Sequence, residues 1–325
     1  MPFDHIQQAG EPLPMWQWND IGQQAPAGLT TGLELTKETS MDWTVSKRPL
    51  MFQSADGAIL PVDGWKTTVR DDTDQVLGVV RNKYQVVQND QCFSVLDKVA
   101  ADKRIEFIST GALAGGSKVW ALAKVNKATF EVFPGDVNQL YCLLINGHDS
   151  KISVRVMLIP FRLFCTNQFF MAMKEALGGF MVKHTGDVTK KLGQGEEALA
   201  YSISGFTHYG TFAAAAAKKS MAIAEQKQLI ESVFPIGKDH KGAAREIATK
   251  GTQAKRDRAM HLSFNGRGQL DTLAAGTAWG LWNGITEAEN FPIKKLGAER
   301  HITRLMQGNS SATIRKAYKL IRAQL

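Results

Sequence analysis

The chain has 325 residues, 44% of them hydrophobic and 22% charged, with a net charge of +8 at pH 7. This is an ordinary globular composition, long enough for one large domain or two modest ones. No run of about 18 apolar residues is present, which excludes a membrane-spanning helix. Cys92, Cys142 and Cys165 form no CxxC pair, which removes support for a zinc site or a disulfide framework.

The charge is unevenly placed. Residues 200–325 carry 19 Lys and Arg against 9 Asp and Glu, a net of +10, whereas residues 1–199 carry 20 against 22, a net of −2. A basic tail of this kind points to a polyanion partner, most often nucleic acid. In chain order, residues 1–42 read as an irregular arm rich in Gly, Pro, Gln and Thr. It bears only Lys37 against six acids, and Trp16 and Trp18 are candidates for docking on the body or on a neighbouring subunit. The opening MPFDHIQQAGEPLPMWQWND lacks a basic region followed by an apolar core, so no secretory signal is expected. A reducing cytoplasm is the expected compartment.

From 43 to 87 come short β-type runs, WTVSK, PLMFQ, AILPV, WKTTVR and QVLGVV. Asp56-Gly57 and Asp63-Gly64 serve as hairpin signals. The spacing of Cys92, Phe93, Val95, Leu96, Val99 and Ala100 predicts a helix over 89–102 with Asn89 as N-cap. Residues 104–133 read as two or three strands with a turn at 114–117. VNQLYCLLING and KISVRVMLIPFRLF follow as strands joined by the turn NGHDS, and Asn167 is expected to cap a helix running to about 177. Arg155 and Arg162 are an odd number apart, so Pro160 is expected to break or bulge the strand and reset its phase. Beyond Gly178 a short strand, FMVKH, leads into helical segments. The last of these places Ile314, Ala317, Leu320 and Ile321 opposite Arg315, Lys316, Lys319 and Arg322. The expected class is α+β, an antiparallel-rich sheet with an internal helix followed by a mostly helical part. The expected divisions are an arm (1–42), a core domain (43–186) and a basic helical region (187–325) packed on the core.

The search for chemistry gives binding residues more readily than catalytic ones. GALAGGSK lacks the GxxxxGK[ST] spacing and joins two strands, so it reads as a hairpin turn presenting Lys118 rather than a phosphate loop. His148 and Asp149 are weak candidates for an acid–base pair or metal ligands. They follow Asn146-Gly147, a natural turn, and the other histidines show no ligand spacing, so no metal or cofactor is expected. Cys165 is a candidate nucleophile with His148 or His184 as base, but it stands in an apolar run where cysteine usually packs as a small hydrophobe. Arg81, Lys83 and Tyr84 place cations beside a ring, the combination that grips single strands.

Four stretches together resemble a known family: VVRNKYQVVQNDQCFSVLDKV, GALAGGSKVWALAKV, NGHDS with PFRLFCTNQF, and GTAWGLWNGITEAENF. The family is the phage/plasmid-like proteins, classed mainly as a domain of unknown function, and the likeness covers about residues 43 to 290. The chain departs from it where the family commonly shows HDGS and a pattern near RVVCxNTL. The resemblance implies a mobile-element setting in a bacterial cytoplasm and no established activity. More distantly, the architecture is similar to phage single-strand annealing proteins of the RecT, Redβ and Erf kind, which form rings or filaments on single-stranded DNA without a nucleotide.

The resulting expectation is a homo-oligomeric single-stranded DNA-binding protein that anneals complementary strands. Arg81, Lys83, Lys118, Lys124, Lys151, Arg155 and Arg162 would hold the backbone, with Tyr84 or Trp120 as stacking residues. The alternatives are a nucleic-acid-processing enzyme using His148 and Asp149, and a protein that inhibits a host defence factor.

Overall fold

A computed structural model describes residues 22–162, 167–168, 179–204, 206–236, 242–266, 273–291 and 309–325, with residues 269, 300 and 304. Trp16, Trp18, Cys165 and the expected helix body after Asn167 lie outside the described residues.

In chain order the first elements are Gln23–Gln24 (β1) and Gly32–Glu38 (α1). The helix arises inside a stretch expected to be irregular, because Thr31 starts a capping box. The Thr31 hydroxyl accepts from the Glu34 N–H, and the Glu34 carboxylate accepts from the backbone of Thr30 and Thr31. Those bonds hold the Glu34 carboxyl below its ordinary pKa.

Val45–Gln53 (β2), Ile59–Arg70 (β3) and Gln75–Arg81 (β4) then form a three-stranded antiparallel meander. Asp56-Gly57 makes the expected turn between β2 and β3, with Gly57 at φ 89°. Asp63-Gly64 does not, and this corrects the sequence reading. β3 runs straight through it, Gly64 adopts φ 77°, and the register jumps so that Pro49 faces Lys66 while Met51 faces Pro61. The glycine sits in a bulge, which merges the five short runs into three strands.

Asn89–Phe93 (α2), a 3₁₀ turn at Ser94–Leu96 and Asp97–Ala101 (α3) make the internal helix in broken form. Its N-cap is Gln88, not Asn89. The Gln91 side chain accepts the Gln88 N–H at 3.2 Å, which frees the Asn89 amide to donate to the Met41 carbonyl at 2.9 Å.

Ile105–Leu113 (β5), Lys118–Glu131 (β6), Val137–Gly147 (β7), Val154–Arg162 (β8), Asn167–Gln168 (β9) and Gly179–Val182 (β10) complete a second sheet with β1. Its order is β1-β5-β6-β7-β8-β10, with β9 also pairing to β8, and every pairing is antiparallel. β7 is buried along almost its whole length, as its near-continuous apolar run requires of a strand covered on both faces. Pro160 does not break β8, and the register to β7 is continuous from Asn138↔Arg162 to Ile145↔Arg155. β10 covers 154–157 and β9 covers 161–162, so Pro160 falls where β8 has no second neighbour and a missing N–H is tolerated. Asn167 is a β9 residue facing Arg162, not the start of a helix.

The helical part comprises Val188–Ser204 (α4), Phe206–Lys218 (α5), Ile223–Val233 (α6), Gly242–Asn265 (α7), Ala278–Asn290 (α8) and Asn309–Arg322 (α9). One face of the large sheet (Val119, Ala121, Ala123, Leu140, Cys142, Leu144, Val156 and Leu158) shares a single core with Phe93, Leu96, Tyr209, Phe212, Trp279 and Trp282. The Trp279 indole donates to Asp136 at 3.0 Å and the Trp282 indole to the Tyr209 hydroxyl at 3.1 Å, so the buried rings are also polar anchors. Gly284 lets α8 approach α7 closely: a Cβ there would lie 2.5 Å from the Ser263 nitrogen. The opposite sheet face buries Trp120, Leu122, Tyr141, Leu143, Ile145, Met157 and Ile159, with the backbone at Gly22 directly on the Trp120 ring. α9 matches its sequence pattern, with Ile314, Ala317 and Ile321 fully buried and Arg315, Lys316, Lys319 and Arg322 exposed. Among the described residues, no helix is long and apolar enough to cross a membrane.

Candidate nucleic-acid interface

The turn NGHDS joins β7 to β8 and is clamped from three sides. The His148 N–H donates to the Ser117 carbonyl at 2.8 Å, and the Thr68 hydroxyl donates to the His148 carbonyl at 2.7 Å. The Tyr84 hydroxyl donates to the Gly147 carbonyl at 2.6 Å. Gly78 of β4 lies against the turn so tightly that a Cβ would stand 2.6 Å from the Asp149 Cα. Ser150 takes a positive φ of 63° to close the turn.

His148 and Asp149 do not hydrogen-bond each other. The His148 ring is fully buried, pairs through Nε2 with Asn89 Oδ1 at 3.1 Å and stands edge-on to Trp43 at 5.7 Å. Its Nδ1 has no hydrogen-bond partner among the described residues. Burial, and next the neighbouring His184, push its pKa down to about 3, so the ring is neutral at physiological pH. Asp149 turns the other way, accepting the Lys151 N–H at 3.0 Å and facing the Lys118 ammonium at 3.8 Å. The Asp149 side chain is only 4% exposed and that of Lys118 15%. Among the described residues, no group of three His, Cys, Asp or Glu side chains could hold a metal ion.

Of the residues singled out from sequence, Tyr84, Lys118, His148 and Asp149 converge here. Convergence alters the roles of some of them. Tyr84 is buried, its ring stacked on His184 at 4.6 Å, and burial followed by the Asp149 charge raises its pKa. Trp120 is fully buried beneath Gly22. Neither ring offers a face to a base, which corrects their assignment as stacking residues. Lys118 is engaged with Asp149 rather than free. Lys124 lies elsewhere, half-buried on β6 opposite Glu106 and Tyr141; burial and then Glu106 push the Tyr141 pKa up to about 12. Arg155 lies on β8 between Ile145 and Met181, with a buried Nε that has no hydrogen-bond partner among the described residues. Burial and the like charge of Arg315 lower its pKa. Arg162 ends β8, and its side chain lies outside the described residues.

The Tyr84–His184 stack ties three loops into one surface. The Gln85 N–H donates to the His184 carbonyl at 2.8 Å, and His184 Nδ1 pairs with the Gln85 carbonyl at 3.0 Å. Burial lowers the His184 pKa, opposed by the carbonyls of Gln85 and Ile152 and by Asp149. Lys47 donates to the carbonyls of Tyr84 and Asn82 at 2.7 and 3.2 Å, and Lys191 to that of Thr185 at 2.9 Å. Loops 82–85, 149–153 and 183–187, with the first turn of α4, thus bring exposed Lys83, Lys151, Lys183, Lys190 and Lys191 to one end beside Lys47. The loops contain two carboxylates. Asp149 is turned inward, and Asp187 accepts the Lys190 N–H at 3.0 Å.

At the margin of this surface the Arg81 guanidinium lies over the half-buried Trp65 ring at 3.9 Å. Sequence reasoning singled out Arg81 but missed Trp65, Lys47, Lys183, Lys190 and Lys191. The pairing of Trp65 with Arg81 across β3 and β4 is visible only once their register is known.

Residues 76–295 match the model of a family described as a domain of unknown function, DUF932. No curated protein and no solved structure matches the chain significantly.

Proposed function

The chain belongs to the DUF932 family, and we propose that it binds single-stranded DNA along the lysine-bearing end formed by loops 82–85, 149–153 and 183–187 and the start of α4. The observation that carries this reading is the concentration of exposed Lys47 on β2, Lys83, Lys151 and Lys183 on loops, and Lys190 and Lys191 at the start of α4, cross-tied by buried residues, with Asp187 the one exposed carboxylate on loops 82–85, 149–153 and 183–187. The ammonium groups neutralise phosphates and release counterions, while the exposed Arg81 over Trp65 offers a cationic plane on which a base can lie. The strand is then held by its backbone with base edges free, which suits annealing of complementary strands without a nucleotide. The resemblance to phage and plasmid proteins, and the more distant one to annealing proteins, support this setting. The acid–base alternative gains nothing from the geometry, since His148 is enclosed, neutral and separate from Asp149.

Six contacts on a single strand give a salt slope of about −4 in log K, so affinity should fall roughly 300-fold between about 50 and 200 mM salt. Fluorescence anisotropy with a labelled oligonucleotide measures this. Replacing Lys83, Lys151 and Lys183 with Glu should bring the slope to about −2 or shallower. An affinity independent of salt, or a triple variant that binds like the parent, refutes the proposal.

A further inference from the structure

The β2–β3 hairpin continues past the end of β4. β4 pairs only with Trp65–Arg70, so residues 49–63 project as a two-stranded ribbon with both faces largely exposed. Met51 and Phe52 on β2 are 45% and 49% exposed, and Ile59 and Leu60 on β3 are 60% and 43% exposed. Phe52 pairs with Leu60 and Met51 with Pro61, so adjacent pairs put apolar side chains on opposite faces. The tip is closed by short bonds: the Ser54 N–H donates to the Ala58 carbonyl at 2.8 Å and the Gly57 N–H to the Ser54 carbonyl at 2.9 Å. Contiguous apolar surface kept in water marks an interaction site.

The ribbon rises from the lysine-bearing end. The Asn82 N–H donates to the Gly64 carbonyl at 3.2 Å, which ties the loop carrying Lys83 to the ribbon's root. Trp65, under the Arg81 guanidinium, is the next residue along β3, and Lys47 on β2 donates to the carbonyls of Asn82 and Tyr84. Beyond this root the charge changes sign. Residues 49–63 contain Asp56 and Asp63 and no Lys or Arg. The Ser54 hydroxyl and then the Ala58 N–H donate to Asp56 and hold its carboxyl below the usual range, so the tip stays anionic. A phosphate backbone is therefore drawn to the lysines at the root and repelled by the tip, while flat, uncharged nucleobases suit Phe52 and Leu60. At about 3.3 Å per residue, residues 59–63 reach roughly 16 Å from the root, about the length of five stacked bases.

We propose that this ribbon is the base-contacting arm of the DNA site: a strand held by its phosphates on the lysine-bearing end turns its bases onto Phe52 and Leu60. The inference rests on the DNA-binding reading and adds to it the property that separates single strands from duplexes. The lysines alone grip phosphates of either form. In a duplex the base faces are already stacked and paired, so the ribbon gains nothing from them. In a single strand they are open, and each base laid on an aromatic ring adds affinity that releases no counterion and leaves the salt slope unchanged.

Fluorescence anisotropy of the full chain with a labelled single-stranded oligonucleotide, and with its blunt duplex, tests it across about 50 to 200 mM salt. Phe52→Ala with Leu60→Ala should weaken single-strand binding about tenfold or more, the loss of one stacked base, with salt slope and duplex affinity unchanged. Phe52→Trp, which keeps an aromatic face, should bind the single strand as the parent does. An iodouracil-substituted oligonucleotide should photocrosslink within residues 49–63 of the parent, a readout that stands even if circular dichroism shows the double variant to be misfolded. Three results overturn this inference while the lysine site stands: a double variant that binds the single strand like the parent, one that loses single-strand and duplex affinity equally, or crosslinks confined to residues outside the ribbon. A parent without salt-dependent binding overturns both.

Discussion

Acidification should destabilise this protein through His148 before Asp71 and Asp72 titrate. The ring is fully buried, its Nδ1 meets no acceptor among the described residues and burial pushes its pKa down to about 3, against an ordinary 6.5. A depressed pKa means that the unfolded chain binds the proton more tightly than the folded one. Stability is therefore complete above pH 6.5 and is lost as pH falls from there towards 3. A shift from 6.5 to about 3 corresponds to about 5 kcal/mol over the whole window, of which about 2 kcal/mol is lost between pH 7 and pH 5. His184, also lowered by burial, adds in the same direction. Carboxylates such as Asp71 and Asp72 are held below their ordinary range by hydroxyl and guanidinium partners, so they titrate beneath this interval. Urea unfolding at pH 7 and pH 5 measures the loss. His148→Gln removes the titrating group, so its stability should change far less across the interval, whatever its absolute value. A parent whose stability is flat between pH 7 and pH 5, or a His148→Gln variant with the parent's pH dependence, would show that the ring is not enclosed as described.

Three further substitutions test the packing. Gly78→Ala places a methyl 2.6 Å from the Asp149 Cα and should cost about 1–3 kcal/mol in urea unfolding, since only backbone movement can relieve it. Gly284→Ala meets the α7 backbone at Ser263 in the same way and should lower Tm by several degrees in a thermal scan. Trp279→Phe keeps an aromatic side chain but deletes the donor to Asp136 and part of the buried ring, and should cost at least about 1–3 kcal/mol by the same urea titration.

The elements most readable in the sequence are those whose pattern is set by their own burial. β7 is a continuous apolar run because both of its faces are covered, and α9 shows its two faces in the spacing of Ile314, Ala317 and Ile321. Failures occurred where one residue has two possible local uses and a distant partner decides. Gly64 could turn the chain or bulge it, and continued pairing with β2 selects the bulge. Asn89 could cap a helix, but the Met41 carbonyl and His148 claim its side chain. The site divides in the same way. Lys83 and Lys151 stand out locally as cations in turns. The burial of Tyr84 and Trp120 depends on His184 and Gly22, each more than 90 positions away. The lysines of 183–191 join the surface through the stacking of His184 on Tyr84 and its pairing with Gln85.

The order of the large sheet has a consequence for the protein's synthesis. β5, β6, β7 and β8 are neighbours both in sequence and in space, so each can pair by a hairpin as soon as it emerges. Such local closure is fast compared with translation. The helices that complete the core over one face end with α8 and α9, at Asn290 and Arg322. At about 5–20 residues per second, roughly 6–25 s separate the emergence of Arg162 from that of Asn290. Throughout that interval the nascent chain holds a formed sheet whose Val119, Ala121, Leu140, Leu144 and Leu158 face still lacks Trp279 and Trp282. Slower decoding between these points lengthens that exposure, so the yield of folded protein should depend on the rate of elongation across its second half.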